Sequence, residues 1–119
     1  MMTRIQINAF CASLPQTSHV IQWGGSDVWK VGGKLFAVIG MGSERDNAVT
    51  FKASQLAFEV LCDMPGLRPA PYLASRGLKW IQHHDAPGLP EDSLCDHIRA
   101  SYDMVVAGLT RKKRADLGL

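Results

Sequence analysis

The 119-residue sequence has no apolar run that approaches the roughly 20 residues a membrane-spanning helix requires. Near its start, the stretch Ile5–Asn8 is interrupted by amide side chains, so it lacks the continuous apolar core of a secretory signal. We therefore expect a cytoplasmic protein with no membrane partner.

Cysteine and histidine are too scattered to indicate a disulfide framework or a metal centre. Cys11, Cys62 and Cys95 are an odd number, lie far apart and form no C-x-x-C pair, so we expect buried free thiols. His83 and His84 are adjacent, and on a strand their side chains point to opposite faces. The sequence predicts no metal site and no cofactor.

The chain also lacks the patterns of nucleophilic catalysis and of phosphate-binding loops. Ser43 and Ser101 stand outside the strand-turn-helix setting that exposes a catalytic serine. The glycines of Gly40–Gly42 are followed directly by Ser43 and Glu44, a stretch too short and too acidic to hold a phosphate. We therefore expect no catalytic residues and a non-enzymatic protein.

Acidic residues are absent before Asp27, whereas the basic cluster Arg111–Arg114 lies near the end of the chain. The net charge of +2 is too small by itself to indicate a nucleic-acid partner. A basic cluster after a helix either binds a phosphate backbone or complements the negative carboxyl end of that helix, and we favour the second interpretation.

The first half of the chain reads as a helix followed by strands. Thr3 and Gln6 have the spacing of a capping box, which predicts the start of a helix. The stretches 28–31 and 34–39 read as strands, and Gly32-Gly33 between them predicts a tight hairpin turn, because glycine reaches positive φ values without strain.

A further strand and a short helix follow. The strand places Val49 and Phe51 inward and Thr50 and Lys52 outward by simple alternation. The hydroxyl of Ser54 is suited to begin a short helix, rich in apolar residues, that packs against the sheet.

Prolines make residues 65–73 a rigid, irregular crossing, in which we expect Tyr72 to be buried. Leu78–Ile81 reads as a strand, and Pro90 begins a long amphipathic helix. The whole chain, residues 1–119, is predicted to be one domain. Apolar positions recur along the last helix at three- and four-residue spacings: Leu94, Ile98, Tyr102, Val105 and Leu109.

Three short motifs, in this order, resemble the MmcQ/YjbR family. They are Val31-Gly32-Gly33-Lys34-Leu35-Phe36, Arg68-Pro69-Ala70-Pro71-Tyr72-Leu73 and Ser101-Tyr102-Asp103-Met104-Val105. One departure is Leu78, where relatives often carry tryptophan, although Trp80 follows two residues later.

The resemblance implies an α+β fold in which N-terminal and C-terminal helices flank an antiparallel sheet. It also implies a relation to frataxin-like folds and a double-wing arrangement proposed to bind DNA. Iron binding of the frataxin type requires an acidic first helix, and the first 26 residues contain no carboxylate, so we exclude that function.

A nucleic-acid surface is our first functional hypothesis. Strand alternation puts basic side chains opposite the core, where they are suited to neutralise phosphates. Lysines on an outer sheet face also keep a domain soluble and protect its edges, and this alternative stays open. The predicted nucleic-acid-binding residues are Lys30, Lys34, Lys52, Arg68, Arg76 and Lys79.

The second hypothesis is a binding module for a protein or small molecule, with a groove beside the proline-rich crossing. Its candidate residues are Trp23, Arg68, Tyr72 and Trp80. Arg68 is suited to hold a carboxylate or phosphate through two hydrogen bonds, or alternatively to tie the crossing to backbone carbonyls. The sequence leaves the oligomeric state open and slightly favours a monomer.

Overall fold

The computed structural model describes residues 1–73 and 78–119. All strands in these ranges form one sheet of order β1-β2-β3-β4-β6-β5, with antiparallel neighbours throughout. The predicted α+β class is confirmed. The elements are α1 (Arg4–Ser13), β1 (Thr17–Gln22), β2 (Ser26–Val31), β3 (Lys34–Ile39), β4 (Val49–Lys52), α2 (Gln55–Leu61), β5 (Leu67–Pro69), β6 (Trp80–His83), α3 (Glu91–Ala107) and α4 (Arg111–Leu117).

Two consecutive hairpins build the first half of the sheet. The predicted turn at Gly32-Gly33 is confirmed, with φ values of 60° and 79°, and it sets Val31 opposite Lys34. The preceding hairpin of β1 and β2 was not predicted, because nearly all side chains of β1 are exposed and show no apolar alternation. Only the pairing with β2 makes this segment a strand.

Helices α1 and α3 pack on the same face of the sheet. The capping box is confirmed: the Thr3 hydroxyl accepts from the Gln6 amide at 3.2 Å, and Gln6 Oε1 accepts from the Thr3 amide at 2.9 Å. Ser101 of α3 reaches into the sheet, because its hydroxyl donates to the Phe36 carbonyl and accepts from the Lys52 amide. These helices contribute Ile7, Cys11, Leu94, Ile98, Tyr102 and Val105 to the core.

The other face of the sheet is also covered. Neighbouring strands contribute one fully buried row across it: Val28, Val38, Thr50 and Gln82. The prediction that Thr50 points to solvent is therefore wrong. The loop after β3 crosses this face, and Gln82 Nε2 donates to the Met41 carbonyl at 2.6 Å. Strand alternation separates two faces but does not show that a loop will cover the second one.

Helix α2 is less buried than its composition predicted. Ser54 caps it as expected, accepting from the Ala57 amide at 3.2 Å. Leu61 is buried, but Leu56 and Val60 are exposed. The apolar composition of this short helix therefore predicted more burial than the structure shows.

The proline-rich crossing contains a strand that the sequence did not predict. Leu67–Pro69 forms the edge strand β5, paired with β6. Tyr72 is 76% exposed, so the prediction that it is buried is wrong. The strand expected at Leu78–Ile81 begins two residues later, at Trp80.

Candidate functional site

Two of the predicted cations, Lys34 and Lys52, line the same surface groove. Both lysines line a first cavity of about 310 Å³. A second cavity of about 410 Å³ shares Lys34 and Gly108 with the first and is also lined by Lys113. We call this surface the basic groove, and its apolar floor includes Leu35 and Trp80. The remaining lining residues are Gly32, Met104, Val105, Gly108, Leu109 and Thr110.

The basic groove forms where the second hairpin meets the corner between α3 and α4. The turn at Gly32 lies so close to Leu109 that a Cβ atom there would be 2.7 Å from Leu109 Cδ1. Directly after Leu109, Thr110 caps α4 by accepting from the Lys113 amide at 3.1 Å. These contacts bring Lys113, remote in sequence, beside Lys34.

The structure changes the interpretation of the basic cluster Arg111–Arg114. Helix α3 ends at Ala107, and the cluster belongs to the separate helix α4, with Arg114 in its last turn. Arg114 is therefore suited to complement the carboxyl end of α4. Lys113 is the member of the cluster that lines the basic groove.

The groove lysines have no acidic partner among the described residues. The ion pairs found there join Arg4 to Asp27, Arg45 to Asp85, and Arg99 to Asp103, and His19 also contacts Asp27. Lys34, Lys52 and Lys113 belong to none of these. Their charge is therefore available to an anionic partner.

The other predicted cations do not form one face with the groove lysines. Arg68 donates from Nε and Nη2 to Gln82 Oε1 at 2.9 and 2.6 Å, and from Nη2 to the Gly42 carbonyl at 2.9 Å. Lys79 Nζ lies 5.2 Å from the centre of the Phe58 ring. Lys30 stands opposite Leu35 in the sheet and is not among the lining residues of the basic groove, and Arg76 lies outside the described residues.

A second concave site contains part of the predicted ligand groove. Trp23 and Tyr72 line a cavity of about 470 Å³, which we call the aromatic cavity, together with Met41, Gly42 and Leu73. Arg68 is not among its described lining residues, but it donates to the carbonyl of Gly42, as the alternative interpretation predicted. Trp80 is buried beside the basic groove, so the prediction that it joins Tyr72 is wrong.

A buried carboxylate anchors the hairpin that carries Trp23. Asp27 accepts from Arg4 Nε at 2.7 Å and from Asn8 Nδ2 at 3.0 Å, and its other oxygen lies 2.6 Å from His19 Nε2. Burial disfavours the ionised form, but the hydrogen bonds from Asn8, Arg4 and His19 outweigh it and lower the Asp27 pKa to about 2. This cluster was not predictable from the sequence, because its members are spread over the three elements α1, β1 and β2.

The adjacent histidines have separate environments. His83 is buried, and its Nε2 accepts from the Leu89 amide at 2.9 Å, whereas His84 lines a polar cavity beside Arg68. Burial lowers the pKa of both histidines. Within residues 1–73 and 78–119, no group of three or more His, Cys, Asp or Glu side chains is placed to hold a metal ion. No helix of these ranges has the length and apolarity to cross a membrane.

Comparisons with known proteins identify the family. The structure is similar to the Deinococcus radiodurans protein DR2400, described as a DUF419 domain, with a TM-score of 0.83 and 22% identity over 100% of this chain and 90% of that chain. A Pseudomonas syringae protein matches with a TM-score of 0.68 and 18% identity, over 87% of this chain and 99% of that one. No curated protein matches the chain. The YjbR family model matches residues 12–104, and the chain therefore belongs to the YjbR family.

Proposed function

We propose that the protein binds nucleic acid, without catalysis, through phosphate contacts in the basic groove. One observation carries the proposal: Lys34, Lys52 and Lys113 come from three different elements and line two cavities that share Lys34 and Gly108. Such a concentration of positive charge in a chain whose net charge is only +2 favours a polyanionic partner.

The groove favours backbone contacts over base recognition. Its aromatic residue, Trp80, is only 8% exposed, so its ring offers little surface on which a base can stack. Lysine ammonium groups neutralise phosphates without reading sequence. We therefore expect weak sequence preference and an affinity dominated by electrostatics.

The test is a fluorescence-anisotropy titration of labelled duplex and single-stranded DNA at several salt concentrations. If three lysines each neutralise one phosphate, the logarithm of affinity for duplex DNA falls with the logarithm of salt with a slope of about −2.7. An affinity that does not change with salt would contradict the electrostatic proposal.

Matched charge reversals locate the site. The variant Lys34→Glu/Lys52→Glu removes two groove cations, and we expect the salt slope to become shallower by about 1.8. Arg45→Glu/Arg99→Glu changes the net charge equally at exposed positions outside the groove, and we expect it to retain most of the affinity. Equal losses in the two variants would reject a localised groove, and absence of binding at low salt would reject the function.

A further inference from the structure

We propose that the aromatic cavity binds a small molecule through a planar, uncharged aromatic ring. This site is separate from the basic groove, and the proposal does not depend on nucleic-acid binding. The cavity volume of about 470 Å³ falls within the range of about 300–1,000 Å³ typical of small-molecule sites.

The first argument is the exposure of two large aromatic side chains at one cavity. Trp23 is 54% exposed and Tyr72 is 76% exposed, whereas the other two tryptophans of the chain, Trp29 and Trp80, are buried. Trp23 and Tyr72 approach the cavity from a hairpin turn and from the proline-rich crossing, which are remote in sequence. Exposed aromatic surface converging on one concavity is characteristic of a binding site.

The second argument is backbone strain at the same two residues. Trp23 has φ of 52° and Tyr72 has φ of 69°, both in the left-handed region that bulky side chains rarely adopt. Glycine would take either conformation at lower cost, and indeed Gly24 and Gly25 continue the same turn. Strain that keeps an aromatic ring at a cavity wall indicates a use for that ring.

The third argument is that hydrogen bonds hold Met41 and Gly42, which line the cavity, in place in the absence of a ligand. Buried Gln82 donates to the Met41 carbonyl and accepts two hydrogen bonds from Arg68, which in turn donates to the Gly42 carbonyl. This network fixes the loop that forms one wall. A preformed cavity avoids the entropic cost of ordering the site on binding.

The lining chemistry identifies the ligand class. Indole, phenol, thioether and isobutyl groups surround the cavity, and none of the described lining residues carries a charge. Two aromatic walls favour a flat ring that stacks on one or both of them. The cavity therefore suits one or two fused rings, as in an indole or a nucleoside base.

The binding test uses proton-nitrogen correlation spectra of the full chain, in which the three indole N–H groups are separate reporters. Indole and adenosine serve as planar probes, and cyclohexanol as an apolar, non-planar one. We expect both planar probes to shift the Trp23 signal to saturation and to leave the signals of Trp29 and Trp80 in place. Equal shifts with cyclohexanol, or no shift with any probe, would overturn the proposal.

The affinities of variants for indole, measured by calorimetry, then test which side chains bind the ring. Trp23→Gly suits the left-handed backbone and retains the fold, and we expect it to weaken indole binding about tenfold. Tyr72→Phe keeps the ring and should bind as the wild type does. The control, Leu56→Ala, alters an exposed apolar residue on α2, away from the cavity, and should leave indole binding unchanged.

Two further outcomes separate this proposal from the previous one. The double variant Lys34→Glu/Lys52→Glu should lose affinity for DNA and keep its affinity for indole. If Trp23→Gly binds indole as well as the wild type, the aromatic cavity is not the site, whatever the DNA titration shows.

Discussion

The basic groove and the aromatic cavity use opposite means to make a binding surface. The groove is formed by exposed lysines on β3, β4 and α4. The hydrogen bonds of Ser101 to β3 and β4 hold the two strands that carry Lys34 and Lys52. The cavity is formed by aromatic rings on strained turns, held from below by Gln82 and Arg68. The first arrangement suits a long polyanion of variable shape, and the second suits one compact ring.

This difference predicts where each surface is vulnerable. Charge changes should alter the groove without altering stability, because its lysines are exposed at the surface of the fold. Substitutions beneath the aromatic cavity should lower both the free energy of unfolding and the affinity for a ligand, since the loop of Met41 and Gly42 depends on buried polar contacts. Three experiments test this difference.

The largest effect is expected for Gln82→Leu beneath the aromatic cavity. Gln82 is fully buried, and its loss leaves the Met41 carbonyl without its partner and removes the two hydrogen bonds that Arg68 donates to Gln82. We expect a loss of about 3 kcal/mol in the free energy of unfolding, measured with urea, and weaker indole binding. DNA binding should persist, and the exposed control Gln22→Leu should unfold like the wild type.

A smaller, pH-dependent effect is expected at Asp27. Its pKa of about 2 in the folded protein lies below the ordinary value of 3.8, so its ionised form stabilises the fold. That contribution, about 2 kcal/mol, is complete above pH 3.8 and is lost as the pH falls towards 2. Asp27→Asn should therefore be less stable than the wild type at neutral pH and nearly equal to it at pH 2.

Urea unfolding across this pH range tests the assignment. The control Asp103→Asn alters an exposed carboxylate in an i,i+4 pair with Arg99 and should leave the pH profile almost unchanged. If the Asp27→Asn variant showed the same acid profile as the wild type, the anchoring role of this carboxylate in the Trp23 hairpin would be wrong.

The smallest of the three effects is expected for Ser101→Ala beneath the basic groove. The substitution leaves the Phe36 carbonyl and the Lys52 amide buried without their hydroxyl partner. We expect a loss of about 1.5 kcal/mol in the free energy of unfolding and a modest loss of DNA affinity, because Lys52 is less firmly placed. Unchanged indole binding would support the separation of the two sites, and a loss of it would break the comparison.

Much of the fold was predictable because its strongest patterns are local. The capping box at Thr3, the turn at Gly32-Gly33 and the amphipathic spacing of α3 each depend on a few neighbouring residues, and all three are present. Strand β1 was missed because an exposed edge strand carries no apolar alternation. Thr50 was misplaced because burial of the second sheet face depends on a distant loop.

The candidate sites were predicted in pieces. Lys34 and Lys52 were identified by alternation, and Trp23 and Tyr72 by their glycine- and proline-rich surroundings. That Lys34 and Lys113 line the same cavity was not predictable, because their proximity depends on the contact between Gly32 and Leu109. Trp80 was assigned to the wrong site, since alternation gives a face of the sheet and not a position along it.

The fold class, the family motifs and the identity of most cationic and aromatic candidates follow from the sequence. They depend on spacing and turn chemistry, which act over a few residues. Which candidates meet depends on tertiary packing. Packing brings Lys113 of α4 to the cavity that Lys34 lines, engages Arg68 with Gln82 and leaves Tyr72 exposed, because such contacts join segments remote in sequence.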